Sequence, residues 1–177
     1  QRTGFDTLAA GPSRSFAIHA FPGYTNADWP AQGLSILDFG VVYNGYTSDT
    51  TVTVARGPLT QAQEDQLNLV QKAYDESLKI YMPGCKIYDA AKKAENVFAA
   101  EKRKMPHTLG HCIGLEIHEK PTVQARTVTD TVFKPGMIVT CEPGLYDVET
   151  GGCRLENDVL ITEDGHEVIT HSRIIRL

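Results

Sequence analysis

The sequence has little of what marks several large classes of protein. No apolar run approaches the roughly 18 residues of a membrane-spanning helix, and no charged segment followed by an apolar one opens the chain as a signal peptide would. The net charge is −5 and basic residues are not concentrated anywhere, whereas a nucleic-acid-binding surface needs a basic patch or stripe. The composition therefore predicts that the partner is neither a membrane nor a nucleic acid.

Cysteine is also scarce and scattered. The four cysteines, Cys85, Cys112, Cys141 and Cys153, form no C-x-x-C pair. A chain of 177 residues can bury enough surface to fold without disulfides. We predict reduced thiols and a cytoplasmic location. Because no interior linker interrupts the pattern, we expect residues 1–177 to form one domain.

Strand-like patterns come first along the chain, then helical ones, then strand-like ones again. Alternation of apolar and polar residues predicts strands. Thr60 is a suitable N-cap for a long helix that ends before Pro83-Gly84. The predicted strands are 16–21, 34–42, 46–55, 137–141, 153–162 and 167–170, and a second helix is predicted over 89–103.

Two aspartates lie on neighbouring predicted strands, joined by the hairpin signal Asn44-Gly45. A two-residue loop there sets Asp38 opposite Thr51, and a loop one residue earlier sets Asp38 opposite Asp49. Either register places both carboxylates on one face, and like charges that close need a cation or a shared proton. The alternative is a solvated Asp49 and an Asp38 that accepts a backbone hydrogen bond.

The stretch HTLGHCIGLEIHE, residues 107–119, holds three of the six histidines. His107 and His111 have the spacing of one helix face, but Gly110 and Gly114 disfavour a helix, so we expect a backbone packed closely against its surroundings. Histidine is the commonest metal-binding side chain, and no H-E-x-x-H is present, which excludes a zincin-type site. The alternative is a glycine-rich loop with solvent-facing histidines.

A further pair of acids surrounds a Gly151-Gly152 turn. Glu142 follows one apolar strand and Glu156 leads into another, so a hairpin can bring the two carboxylates together. Arg154 shares a strand face with Glu156. The alternative is therefore an ordinary ion pair of Arg154 with Glu142 or Glu156.

Four carboxylates and at least one imidazole thus arise from two hairpins and one glycine-rich segment. Oxygen ligands with one nitrogen suit Mn²⁺, Co²⁺, Fe²⁺ or Zn²⁺. A single catalytic zinc usually takes three protein ligands, whereas two ions about 3.5–4 Å apart share bridging carboxylates. The pattern predicts a two-metal hydrolase, and Mn²⁺ is the ion we expect.

The candidate ligands occur in the order Asp38, Asp49, His111, Glu142 and Glu156, within the motifs LDFG, SDTT, HTLGHCIGLEIHE, CEPGLY and CRLENDVLITEDG. This set resembles the metal ligands of the pita-bread metallopeptidases, a family that includes methionine aminopeptidase, aminopeptidase P and prolidase. The resemblance implies an α+β pita-bread fold, in which helices back a curved antiparallel sheet. It further implies hydrolysis of Xaa-Pro peptide bonds, by a dipeptidase or an aminopeptidase, through a hydroxide that bridges two ions.

The resemblance also assigns roles to the ligands. Asp38 and Glu156 would bridge the two ions. Asp49 would chelate one ion and His111 would bind the other. Glu142 would bind one ion and carry the proton from the nucleophile to the leaving amine.

Other residues resemble those of the prolidase and aminopeptidase P branch. His107 and Arg154 match that branch, and His19 falls where it carries a substrate-facing histidine. His118, with His107, would stabilise the oxyanion. Arg154 would orient a ligand carboxylate or meet the substrate terminus.

The branch normally has an N-terminal domain and helices ahead of the first strands. Both are expected to be absent from this chain, which begins at Gln1, so the first half of the fold would be truncated and a longer parent would form the homodimer. Proline-containing peptides are the expected partners. Two alternatives stay open: a methionine aminopeptidase-like exopeptidase, disfavoured by His107 and Arg154, and a non-catalytic pita-bread binding module, disfavoured by the complete ligand set.

Overall fold

Residues 2–29 and 31–177 are described by the structure, which is a computed structural model. In chain order the elements are β1 (Arg2–Thr3), β2 (Leu8–Ala10), β3 (Gly33–Phe39), β4 (Val41–Tyr43), β5 (Tyr46–Thr47), β6 (Thr50–Arg56), α1 (Gln61–Leu78), α2 (Ile87–Ala100), β7 (Gly110–Cys112), β8 (Glu119–Val123), β9 (Ile138–Cys141), β10 (Gly144–Asp147), β11 (Gly151–Arg154), β12 (Asn157–Ile161), β13 (His166–Val168) and β14 (Ile175–Arg176). The separate runs of strands and helices confirm the predicted α+β class.

The first large sheet carries the strand of Asp38. Its order is β14-β6-β3-β2, antiparallel except for the parallel pair of β14 with β6. Asn44 and Gly45 form a two-residue turn with φ of 50° and 88°, as a type I′ hairpin turn requires. Asp38 lies opposite Thr51, so the first of the two possible registers is the one that forms.

The second large sheet, in the order β13-β12-β9-β7-β8, carries the histidine-rich stretch. Its strand β7 pairs with β8 and β9 instead of forming a helix. A Cβ added at Gly110 would lie 2.0 Å from the Thr140 carbonyl oxygen, so only glycine allows this approach. The expectation of a closely packed backbone is confirmed there. Smaller sheets are formed by β10 with β11 and by β1, β4 and β5.

The two helices share one hydrophobic core with the strands. Thr60 caps α1 as predicted: its hydroxyl accepts the Gln63 backbone N–H, and the Gln63 side chain accepts the Thr60 N–H. Leu67, Val70 and Phe98 are buried in this core, and each such side chain contributes about 1.5–3 kcal/mol. Across the described ranges, no helix is long and apolar enough to cross a membrane.

Some predicted elements differ from the structure. Residues 16–21 form turns, because the chain after Gly11-Pro12 makes short-range backbone hydrogen bonds at Arg14 and Ala17. Strand β2, which was not predicted, pairs with β3 on the side away from β6. The predicted strand 153–162 is interrupted after Arg154, where the chain leaves the β10–β11 ribbon for the second large sheet. Helix α2 spans Ile87–Ala100 rather than 89–103.

Candidate metal centre

One cavity of about 370 Å³ receives side chains from both large sheets. It brings together every site residue predicted from the sequence: His19, Asp38, Asp49, His107, His111, His118, Glu142, Arg154 and Glu156. The histidine-rich stretch therefore does not form a loop with all its histidines in solvent, since His111 is buried.

The acidic residues reach the cavity from segments far apart in the chain. Asp38 lies in β3, and Asp49 directly precedes β6. Thr51 of β6 forms an isolated antiparallel bridge with Glu156, which ties the first sheet to the end of β11. Glu142 directly follows β9. The carboxylates meet because strands from both halves of the chain end at this cavity.

His111 points into the cavity in the tautomer that a metal ligand needs. Its Nδ1 lies 3.0 Å from the Cys112 carbonyl oxygen, which can only accept, so Nδ1 carries the proton. Nε2 then presents a lone pair, 3.7 Å from Asp49 Oδ2 and 3.6 Å from Glu142 Oε1. Burial lowers the pKa of His111, which favours the neutral ring. These separations exceed those of hydrogen bonds and suit ligand atoms that share an ion.

Burial and mutual repulsion oppose negative charge on the carboxylates. Burial, followed by the charges of Asp38 and Glu142, raises the pKa of Asp49 to about 8. Burial raises the pKa of Glu142 to about 7. Burial and the charge of Glu142 raise the pKa of Glu156 well above its usual range. Burial and repulsion therefore outweigh the nearby positive charge of Arg154 at these three carboxylates.

The donor set fits divalent metal ions. Asp49, His111 and Glu156 each offer one ligand atom, and the three atoms lie within 4.8 Å of one another. Oδ1 of Asp38 and Oδ1 of Asp49 are buried with no hydrogen-bond partner among the described residues, a costly state unless a cation binds them. Oxygen donors with one imidazole nitrogen suit first-row divalent ions. These residues, with Glu142, would hold the metal.

Arg154 is buried in the cavity wall and donates four hydrogen bonds. Its Nη2 donates to Asp38 Oδ2 at 2.5 Å and its Nε to the Thr51 hydroxyl at 3.0 Å. Its Nη1 donates to the Tyr146 hydroxyl at 2.8 Å and to the Ile18 carbonyl at 3.2 Å. One of the five guanidinium N–H groups is left, and the side chain is 2% exposed. The geometry favours orientation of Asp38 over contact with a substrate terminus.

Arg154 forms one of the ion pairs considered from the sequence, with Glu156, but its closest carboxylate partner is Asp38. Glu156 lies 3.9 Å from its Nε, beyond hydrogen-bond distance. Asp38 lies much nearer, since it comes from β3, which packs against β11. The guanidinium therefore compensates one carboxylate directly and the others only at longer range.

Tyr146 connects Arg154 to His107. Because the guanidinium can only donate, the Tyr146 hydroxyl keeps its hydrogen for His107 Nε2, at 2.9 Å. Nδ1 of His107 donates to the Thr108 carbonyl at 2.8 Å. Both ring nitrogens are engaged, and burial lowers the pKa of His107 to about 4. In this arrangement His107 is neutral and has no N–H left for an oxyanion.

His118 and His19 lie exposed at the rim of the cavity. The His118 ring packs edge-on against His111, with ring centroids 4.5 Å apart. Within the described residues no hydrogen bond engages its ring nitrogens. Burial and the nearby Arg154 lower the pKa of His19. A neighbouring cavity of about 320 Å³ shares both histidines and is lined by apolar side chains, among them Phe5, Leu8 and Phe21.

A second cavity, of about 830 Å³, lies elsewhere and shares His107 with the site. Lys92, Arg103 and Arg126 line it, and Glu95 is its one acid among the described lining residues. Glu95 pairs with Lys92. Among the described residues, the group of side chains that could hold a metal ion lines the smaller cavity.

Comparison with known proteins agrees with this geometry. The sequence pattern of metallopeptidase family M24 matches residues 1–163. The chain belongs to metallopeptidase family M24. Members of this family use divalent metal ions, which the donor set described above would hold.

Several known proteins resemble the chain over nearly all of its length. The uncharacterized peptidase YqhT of Bacillus subtilis is 36% identical over 96% of this chain and 48% of that protein. The prolidase from Pyrococcus horikoshii matches with a TM-score of 0.87 and 32% identity, over 97% of this chain and 49% of that one. The Xaa-Pro dipeptidase from Bacillus anthracis matches with a TM-score of 0.88 and 33% identity, over 99% and 49%. The chain thus spans about half the length of these relatives, and the predicted pita-bread fold is confirmed.

Four further side chains contact residues of the site although no role was predicted for them. Thr51, Thr140 and Asp158 contact candidate ligands, and Tyr146 contacts Arg154 and His107. The Thr140 hydroxyl accepts the His111 backbone N–H at 3.0 Å and donates to Glu142 Oε1 at 3.4 Å. Asp158 Oδ2 accepts the Asp49 backbone N–H at 3.1 Å. Thr51, Thr140 and Asp158 each lie two positions from a candidate ligand, and i and i+2 share a strand face. This spacing of two residues from a candidate ligand is the sequence signal that could have identified these three side chains.

Proposed function

We propose that this chain is the catalytic part of an enzyme that hydrolyses Xaa-Pro peptide bonds, as a dipeptidase or an aminopeptidase, with two divalent metal ions. The observation that carries the proposal is the convergence of four carboxylates and the His111 lone pair on one cavity, with two carboxylate oxygens unpartnered among the described residues. The printed names of the prolidase and the Xaa-Pro dipeptidase that resemble this chain support the choice of peptide bond.

Two ions account for the number of carboxylates better than one. A single catalytic zinc usually takes three protein ligands, which would leave further acids charged and buried without a partner. Asp38, which Arg154 orients, and Glu156, which Thr51 orients, would hold the ions together with the other candidate ligands. Mn²⁺ is the ion we expect, with Co²⁺, Zn²⁺ or Fe²⁺ as alternatives, because such donor sets accept all four.

Bound divalent ions would lower the pKa of a coordinated water toward about 7 and polarise the scissile carbonyl. Glu142 faces the cavity and would take the proton of the nucleophile on its carboxylate, then release it to the leaving nitrogen. His118, with free ring nitrogens in the described structure, would donate to the oxyanion. His107 would act through Tyr146, which it helps to hold against Arg154.

The proposed peptide substrate would bind at the rim of the cavity. An Xaa-Pro bond has no N–H, so it cannot be held by ordinary strand-like hydrogen bonding. His19 and His118 offer polar contacts, and Phe5, Leu8 and Phe21 offer apolar ones in the adjoining cavity. Such a mixed surface suits an imino acid and its neighbour.

The test compares peptides on the Mn²⁺-loaded chain. Faster cleavage of Xaa-Pro dipeptides or tripeptides than of Met-Ala peptides is expected. The reverse preference would favour a methionine aminopeptidase-like enzyme. Elemental analysis is expected to find two ions per chain, and fewer in Asp49→Ala.

Binding of ions without cleavage of any peptide would contradict the proposed activity. No specific ion binding by the wild-type chain would favour the non-catalytic binding module. The homodimer of a longer parent and the cytoplasmic location stay predictions.

A further inference from the structure

Thr51 occupies the centre of the hydrogen-bond network around the candidate ligands. It is completely buried in β6, directly opposite Asp38. Its hydroxyl lies 2.5 Å from Glu156 Oε2, and Arg154 Nε donates to the same hydroxyl at 3.0 Å.

The direction of both hydrogen bonds is determined by the chemistry of the partners. A guanidinium can only donate, so the Thr51 hydroxyl accepts from Arg154 and gives its own hydrogen to Glu156. The direct distance from Arg154 Nε to Glu156 Oε2 is 3.9 Å, which is too long for a hydrogen bond. The hydroxyl therefore transmits the orienting effect of the guanidinium to the carboxylate.

We propose that Thr51 is a positioning residue for metal binding. Its hydrogen bond engages Oε2 of Glu156 and fixes the carboxylate, while no hydrogen bond within the described residues reaches Oε1. Glu156 is thereby presented to the cavity with one oxygen free for an ion. The inference depends on the proposed function, since it takes Glu156 as a metal ligand.

The chain offers a closely matched control two residues along the same strand. Thr53 is also completely buried, and its hydroxyl donates to the Arg154 carbonyl at 2.8 Å and accepts the Arg154 backbone N–H at 3.0 Å. It makes two hydrogen bonds, as Thr51 does, but none to a carboxylate. Thr53→Val therefore removes a buried hydroxyl from the same strand and leaves the hydrogen bond to the Glu156 carboxylate in place.

The experiment measures Mn²⁺ binding to the metal-free chain by calorimetry, with no peptide present. The variants are Thr51→Val, which keeps the shape, Thr51→Ser, which keeps the hydroxyl, and Thr53→Val. Loss of a group that orients a ligand typically weakens metal binding by about 10- to 100-fold. We expect that loss in Thr51→Val, near wild-type affinity in Thr51→Ser, and near wild-type affinity in Thr53→Val.

Two results would overturn the assignment: wild-type affinity in Thr51→Val, or an equal loss in Thr53→Val. If Thr51→Val does not fold, Thr51→Cys, whose thiol is a weak donor, replaces it, and equal affinities of the Cys and Ser variants would overturn the assignment. A wild-type chain that binds no ion refutes the proposed function as well. Binding by the wild type with no effect of Thr51 variants refutes the role of Thr51 alone.

Discussion

Removal of the Arg154 guanidinium should destabilise the metal-free chain strongly. The side chains of Arg154 and Asp38 are 2% and 11% exposed, so the variant Arg154→Met leaves a buried carboxylate without its partner. Removal of one member of a buried ion pair costs about 3–5 kcal/mol. We expect the free energy of unfolding to fall by that amount. The Thr51 and Tyr146 hydroxyls also lose the guanidinium as their hydrogen-bond donor, which adds to the loss.

Urea unfolding followed by circular dichroism, in the presence of a chelator, measures this change. Arg154→Lys separates charge from geometry: it keeps the positive charge but loses the planar fork that reaches several acceptors, so an intermediate loss is expected. Arg176→Met is the control. Arg176 pairs with Glu64 at 2.8 Å in an exposed position, and its removal should leave stability unchanged within error.

An Arg154→Met variant with the urea midpoint of the wild type would refute this reasoning. It would mean that Asp38 is solvated or protonated in the folded chain and does not depend on the guanidinium. An equal loss in Arg176→Met would point to a general effect of removing positive charge from an acidic chain.

Three further predictions concern pH, a helix cap and the tyrosine of the site. Burial raises the pKa of Asp49 to about 8 and of Glu142 to about 7, so the folded metal-free chain binds more protons than the unfolded chain, whose carboxyl pKa values are about 4. Its free energy of unfolding should fall as the pH rises from about 4 to about 8; urea titrations in a chelator test this, and a steady rise would contradict it. Thr60→Ala removes the capping box and should cost about 1 kcal/mol, while calorimetry should find Mn²⁺ affinity unchanged. Tyr146→Phe leaves His107 Nε2 without its donor and should cost about 1–3 kcal/mol; a urea midpoint equal to that of the wild type would show that the hydrogen bond contributes nothing.

Much of the site could be predicted because its decisive signals are local. The Asn44-Gly45 hairpin signal places Asp38 and Asp49 on one face in either possible register, and the register that forms sets Asp38 opposite Thr51. Gly110 marks a backbone contact that no other residue allows. In each case a few adjacent residues carry the information, so a pattern in the sequence is enough.

The contacts that orient the ligands could not be predicted in the same way. Arg154 and Asp38 are 116 positions apart, and Asp158 and the Asp49 amide are 109 apart. No periodicity links such pairs, and an arginine near several acids has several equally plausible partners. The wrongly predicted strand at 16–21 has a different cause: the apolar run there lies in turns, and the Ser15 hydroxyl just before it donates to the Leu34 carbonyl.

The isolated bridge between Thr51 and Glu156 also bears on the order of assembly. The two residues are 105 positions apart, and the candidate ligands on either side of the bridge come from opposite ends of the chain. Neither hairpin alone contains a complete set, so closure of this long loop must precede capture of an ion. Metal uptake during refolding would therefore report the last docking step. Uptake begins only when the two halves of the chain meet, even if each half forms its own strands earlier.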